Sequence, residues 1–290
     1  MTIASPVLLE YRQPEERVLF WPARDANPFF HLMEALWMLN GQNDVAWPAY
    51  FNKKFKDYSD DGFSLHGAYG HRWRRHFRVD QIMDVCNILE RDPHSRRAVI
   101  GMWDPSEDSL VASKDLPCNT HVYFRVVNGA LDMTVCNRSN DLIWGACGSN
   151  VVHFSMLQEV IARGLNMLCG RYFQFTNNLH IYDNIPNREM YTPPIEWWEN
   201  PYTAGVEPYP LIRVTLGQWF EDLAEFMSSP LNKSGYGDPF FREVAVPIMT
   251  AWEARKTKTS NGLAELQECK AEDWKRACTE WILRRENNAV

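Results

Sequence analysis

The chain has 290 residues, of which 45% are hydrophobic and 23% charged, a composition that supports one large core or two modest ones and excludes intrinsic disorder. Its formal charge of -7 excludes general affinity for DNA or an anionic membrane, because such binders neutralise phosphate with a basic excess. Seven cysteines, an odd number with no Cys-x-x-Cys pair, suit neither a disulfide framework nor a zinc site, and no export signal or membrane span is read, so we expect reduced thiols, no metal and a cytoplasmic protein.

Residues 28–39 are apolar nearly all round and predict a buried helix with Glu34 inside it. A carboxylate there is costly unless it is paired or used. Residues 80–91 predict an amphipathic helix closed by Asp92-Pro93, and 98–103 a buried strand. Two strands, 121–127 and 131–136, meet at Asn128-Gly129, a strong hairpin signal. The hairpin brings Cys118, before its first strand, near Arg138 to Asp141, beyond its second. A thiol attacks as thiolate, and Arg138 is placed to lower its pKa. Gly145, Gly148 and Ser149-Asn150 form a loop capping a helix over 151–163, and a strand over 172–176 leads toward His180-Ile181-Tyr182. After a proline-rich stretch, 238–254 and 271–285 show helical spacing.

Taken singly, these residues have plain explanations. A cysteine is usually a small buried hydrophobe, the reading given to Cys86, Cys136, Cys169, Cys269 and Cys278. Arg96-Arg97 alone is a solvated turn, Ser149 and Asn150 are caps, His180 is a core histidine, Phe55 and Tyr58 are core, and Asp141 is a turn residue. Against this stand six motifs in order: His31 to Trp37 with Glu34; Gly67 to Arg74 with Tyr69; Asp92 to Arg97; Leu116-Pro117-Cys118; Arg138-Ser139-Asn140-Asp141 with Gly145; and His180-Ile181-Tyr182. Together they resemble the thymidylate synthase superfamily, which includes phage and antibiotic-pathway pyrimidine nucleotide hydroxymethylases, over roughly residues 28–182.

The resemblance implies an α/β (α+β) three-layer fold around a mixed sheet. Residues 1–235 would be the catalytic domain and 236–290 a helical extension packed on it, in a homodimer in the cytoplasm, the host's if the chain is phage-encoded. It implies that Cys118 adds to C6 of a pyrimidine nucleoside monophosphate, so that C5 attacks the one-carbon unit of 5,10-methylenetetrahydrofolate. Arg138 and Ser139 would hold the phosphate, with Arg96 and Arg97 from the opposite subunit. Asn150 would read the base, and His180 and Tyr182 the sugar. Asp141, Phe55, Tyr58 and Gly145 would meet the folate, and Glu34 and Tyr69 would organise water for proton transfer.

The chain departs from the synthase pattern. Asn119 follows the nucleophile where histidine is usual, and 145–150 runs one residue long, so that Ser149 competes with Asn150 for the base-reading place. Phe55 and Tyr58 replace two tryptophans, and the fourth phosphate arginine stays open among Arg12, Arg17 and Arg24. The carboxyl-terminal Ala289-Val290 resembles a synthase ending, although the extended tail leaves open whether it closes the site. The nucleophile segment and the Arg138 tetrad look more like the hydroxymethylases, in which water instead of folate hydride completes the reaction. An amide at Asn150 suits uracil. The expected activity is therefore a folate-dependent 5-hydroxymethylase acting on dUMP. The alternatives are a thymidylate synthase, a dCMP or CMP hydroxymethylase, and a non-catalytic relative binding nucleotide or RNA, against which the intact Glu34, Cys118 and Arg138 speak.

Overall fold

The computed structural model describes residues 1–183 and 199–287, which leaves Ala289-Val290 outside the described residues. The chain divides into two compact units, one of Met1–Glu15 with Met33–Ile181 and the other of Glu16–Leu32 with Tyr182–Val290. The units do not part at residue 235.

The first unit is built on a five-stranded mixed sheet, in the order β1 (Val7–Tyr11), β6 (Leu168–Thr176), β4 (Ala130–Asn137), β3 (Asn119–Val127), β2 (Val99–Gly101). The β3–β4 hairpin turns at Asn128 and Gly129, whose φ angles of 51° and 78° are the left-handed pair a two-residue turn requires. β4 and β6 are parallel, so a crossover must join them, and helix α6 (Asn150–Gly164) provides it while packing on both. The remaining pairs are antiparallel. This is the α/β arrangement around a mixed sheet that the resemblance implies. β1, too short to stand out from its surroundings in the sequence, adds the edge strand beside β6.

Alternation decides the two faces. Val122, Phe124, Val135 and Tyr172 point inward, toward the helices. On the opposite face Leu8, Tyr123 and Phe175 stand exposed, and pairing aligns Leu8 with Phe175, Phe175 with Cys136, and Cys136 with His121. Cys136 and Cys169 are half-buried, whereas Cys86, Cys269 and Cys278 are core as expected, and none of the five is in a disulfide.

Helix α1 (Pro28–Leu39) has the expected bounds, and Glu34 is buried on it. The shorter helices α2 (Ala46–Phe51), α3 (Tyr69–His71), α4 (Gln81–Arg91, capped by Asp80) and α5 (Pro105–Asp108) follow. Gly70 lets α3 lie against the end of α1, since a Cβ there would come within 2.0 Å of the Met38 carbonyl oxygen. Arg72 fixes the same turn, with its guanidinium forked on Asp108 at 2.7 and 2.8 Å and buried with it. A two-stranded parallel ladder, β5 (Asn140–Asp141) with β7 (Leu179–His180), lies beyond the hairpin.

The second unit is helical: α7 (Leu216–Ser228), α8 (Val246–Thr257, preceded by a wide turn over Phe241–Ala245), α9 (Leu263–Leu266) and α10 (Glu272–Asn287). Trp281 of α10 meets Phe29 at 5.6 Å and Trp252 at 5.9 Å between ring centroids, and Arg285 pairs with Asp25 at 2.7 Å. Among the described residues no helix is long and apolar enough to cross a membrane.

Candidate active site

Cys118 sits where the chain enters β3, and the hairpin closes it against Arg138 as its ends predict. The Arg138 N–H donates to the Cys118 carbonyl at 2.9 Å, and its guanidinium reaches the Sγ at 3.7 Å. The same guanidinium donates to the Pro117 and Leu116 carbonyls at 3.0 and 3.2 Å and lies over the Trp103 ring. Tyr69, half-buried on α3, turns its hydroxyl to accept the N–H groups of Cys118 and Asn119 at 3.2 and 3.4 Å. Burial pushes the Tyr69 phenol far up, so it stays protonated. The net shift of the Cys118 pKa is nonetheless upward. Burial pushes the thiol up, Arg138 pulls it down by less, and Asp115 adds to the rise. Charge from Arg138 is present, but desolvation outweighs it.

Around Cys118 runs a chain of amides that sequence reasoning did not assemble. Asn119, fully buried, accepts a hydrogen bond from Asn137 and donates to the Asn150 Oδ1 at 3.5 Å. Asn150 Nδ2 donates to Asn140 Oδ1 at 3.0 Å, and Asn140 donates to Gln174 at 2.8 Å. Of Ser149 and Asn150, it is Asn150 whose amide joins this array, and the segment before it, Leu142–Ser149, is a π-type turn kinked at Cys147 and Gly148. The wide turn absorbs the extra residue, so that Asn150 opens α6 with its amide toward Asn119. Tyr11 anchors this turn by donating to the Ala146 carbonyl at 2.6 Å. Gly145 is required by the same array, because a Cβ there would fall 2.1 Å from Asn140 Oδ1 and 3.0 Å from Asn150 Nδ2. The signal in the sequence was the density of asparagines between 119 and 150.

The β5–β7 ladder pairs Asp141 with His180 and brings Ser139 Oγ within 3.5 Å of His180 Nδ1. Asp141 caps the wide turn by accepting the Trp144 N–H through Oδ1, while its Oδ2 is buried with no hydrogen-bond partner. Tyr182, where the chain re-enters the second unit, is more than half exposed. Phe55 and Tyr58 pack edge to face at 5.7 Å on the 3-10 turn Lys53–Tyr58. The segment just beyond is tied to the approach to Cys118, with Ser113 donating to Asp60 at 2.6 Å and Lys114 to the Ser59 carbonyl at 3.1 Å. Arg96 and Arg97 are exposed, immediately before β2. Arg17 and Arg24 are buried, and Arg12 is exposed 3.6 Å from Glu10.

Glu34 has the partner that its burial demanded. His153 Nε2, on α6, lies 3.0 Å from Glu34 Oε2, and both residues are almost fully enclosed. Away from Cys118, His76, Asp104 and Glu107 bring ligand atoms within 4.8 Å of one another, but His76 already pairs with Asp104 at 3.0 Å and nothing else there points to an ion.

The site therefore holds a thiol beside a guanidinium, a base-sized amide array and an enclosed carboxylate, a combination suited to covalent attack on an anionic heterocycle. Comparison with known proteins agrees with this chemistry. Residues 24–190 match the thymidylate synthase family. The chain is 48% identical to the deoxyuridylate hydroxymethyltransferase of Pseudomonas phage M6, over 97% of this chain and 84% of that protein. It is 39% identical to the protein of the same name from Bacillus phage SP01, over 61% of this chain and 49% of that protein, so it spans about half the length of that relative. Among solved structures, the thymidylate synthase of T4 phage superposes with a TM-score of 0.51 over 63% of this chain and 68% of that one, and at 24% identity this likeness speaks for the fold alone. On the motifs, the fold and the matched span together, the chain belongs to the thymidylate synthase family.

Proposed function

We propose that this protein is a one-carbon transferase that hydroxymethylates C5 of deoxyuridylate, using methylenetetrahydrofolate as co-substrate. The observation that carries the reading is the Cys118 thiol, 3.7 Å from the Arg138 guanidinium and beside the Asn119–Asn150–Asn140 amide array. The names of its phage relatives support it.

Cys118 adds as thiolate to C6 of the pyrimidine, which makes C5 nucleophilic, with Arg138 favouring the thiolate against the burial that opposes it. Arg138 and Ser139 bind the phosphate, His180 and Tyr182 the sugar. Asn150 keeps one N–H and one lone pair beyond those used by Asn140 and Asn119, which is what the O4 and N3–H edge of uracil needs. Folate supplies the one-carbon unit. The unpartnered, buried Oδ2 of Asp141 fits an N–H donor of its pterin ring, with Gly145, Phe55 and Tyr58 as further contacts. Water then adds to the exocyclic methylene and Cys118 leaves.

We further propose a homodimer in the cytoplasm. Its supports are the open apolar face bearing Leu8, Tyr123 and Phe175, and the exposed Arg96 and Arg97 at the start of the edge strand of that sheet, where they can reach a partner's phosphate site.

Incubation with dUMP and methylenetetrahydrofolate, followed by mass spectrometry, tests the reading. The expected product is dUMP plus CH2O, with tetrahydrofolate released. A product heavier only by CH2, with dihydrofolate, makes it a thymidylate synthase instead; turnover of dCMP or CMP in preference to dUMP refutes the assigned base; absence of turnover with all three nucleotides refutes the enzyme.

A further inference from the structure

We propose that His153 is a positioning residue which makes Glu34 the proton acceptor for the water that completes hydroxymethyl transfer; the proposal rests on the reading above. Its basis is the placement of the pair. His153 and Asn150 are three residues apart on α6 and share a face, and Asn150 reaches the amide of Asn119, next to Cys118. The following residue, Phe154, packs 5.9 Å from the ring of Tyr69, whose hydroxyl holds the Cys118 N–H. His153 thus lies between Asn150, which touches the side chain of Asn119, and Phe154, which packs on the tyrosine that holds the Cys118 N–H.

The contact between the two groups is close but misaligned. At 3.0 Å the Glu34 Oε2 and the His153 Nε2 are buried, yet neither completes a directed hydrogen bond. Two such orphaned atoms facing one another can be satisfied by a third polar group, and a single water has the size and the donor and acceptor capacity to do so.

Once folate has departed, C5 bears a methylene conjugated to the C4 carbonyl while C6 remains bonded to sulfur. The water oxygen bonds to that methylene carbon, the electron pair moves through C5 to the C4 oxygen, and its return restores C5=C6 and expels the Cys118 thiolate. The proton lost by water goes to the Glu34 carboxylate, whose Oε2 His153 Nε2 meets at 3.0 Å. Completion by hydride would release no such proton.

His153→Gln tests this, with three readouts: tritium released from C5, which reports the early steps; hydroxymethyl nucleotide formed; and, in added mercaptoethanol, thioether captured at the methylene carbon. The expected result is tritium release within about threefold of wild type, hydroxymethyl product down roughly 100-fold, and new thioether. Equal loss of tritium release and product, or no loss of either, overturns the proposal. A variant that does not fold is replaced by a measurement on the unaltered protein: in D2O, with excess thiol, the ratio of thioether to hydroxymethyl product should rise at least about twofold, and an unchanged ratio overturns the assignment. Failure of the wild-type protein to make any hydroxymethyl product removes the underlying reading, a result distinct from either outcome for His153.

Discussion

Cys118 is the residue on which the chemistry turns, and its environment separates two effects that the sequence presents together. Arg138 lies close to the sulfur, but removal from water dominates, and the thiol is harder to ionise than a free one. Alkylation of the free protein by iodoacetamide should therefore accelerate only above the pH at which an ordinary cysteine reacts. Arg138→Ala should move that profile still higher, because the favourable charge is gone while burial remains; an unchanged or lower profile contradicts the account. The proximity of Cys118 and Arg138 was legible because a hairpin with an Asn-Gly turn leaves little freedom to its ends. The sign of the pKa shift was not, because burial is a property of the packed fold. His153 was illegible for another reason: one histidine on an apolar helix has the pattern of core, and only the packed α1 and α6 bring Glu34 to it.

At the scale of elements, the wide turn Leu142–Ser149 shows how one additional residue is accommodated without misplacing Asn150. The sequence exposed the additional residue and left two candidates, of which Asn150 is the one whose amide meets Asn119 and Asn140. Gly145→Ala should drive a methyl group into the Asn140–Asn150 contact and raise KM for the nucleotide roughly 10- to 100-fold, as steady-state kinetics would show. Helix α10 offers a pH effect. Burial raises the Asp273 pKa to about 6, although it accepts from Tyr202 at 3.2 Å and from the Trp274 N–H at 2.8 Å. A carboxyl raised above its unfolded value binds its proton more tightly in the native state. Stability should therefore rise as pH falls from about 6 toward 4, by at most roughly 3 kcal/mol, and level off below the unfolded pKa. Asp273→Asn should flatten this part of a denaturation series; an undiminished slope assigns it to other groups. The helical character of 271–285 was plain in its spacing, whereas the burial of Asp273 depended on packing against Tyr202, distant in sequence.

For the whole molecule, the mixed sheet followed from recognisable motifs, but a sequence does not say which face of a sheet is left open. The exposed row of Leu8, Tyr123 and Phe175 makes a dimer the expected solution state, measurable by sedimentation equilibrium. If Arg96 and Arg97 act across that interface, Cys118→Ala chains and doubly substituted Arg96→Ala, Arg97→Ala chains should each be inactive alone. Dissociated and reassociated together in equal amounts, they should regain about one quarter of wild-type turnover, the share of sites that receive both intact parts. No regain places the arginines in their own subunit's site or outside catalysis. The most direct measurement of the central claim, covalent capture of the pyrimidine by Cys118, uses 5-fluoro-dUMP, whose C5 fluorine cannot leave as a proton would. Incubated with methylenetetrahydrofolate, denatured and mapped by peptide mass spectrometry, the protein should carry nucleotide and folate on the peptide containing Cys118 and nowhere else. A label on another residue, or unlabelled Cys118 in protein that turns over dUMP, would contradict the account.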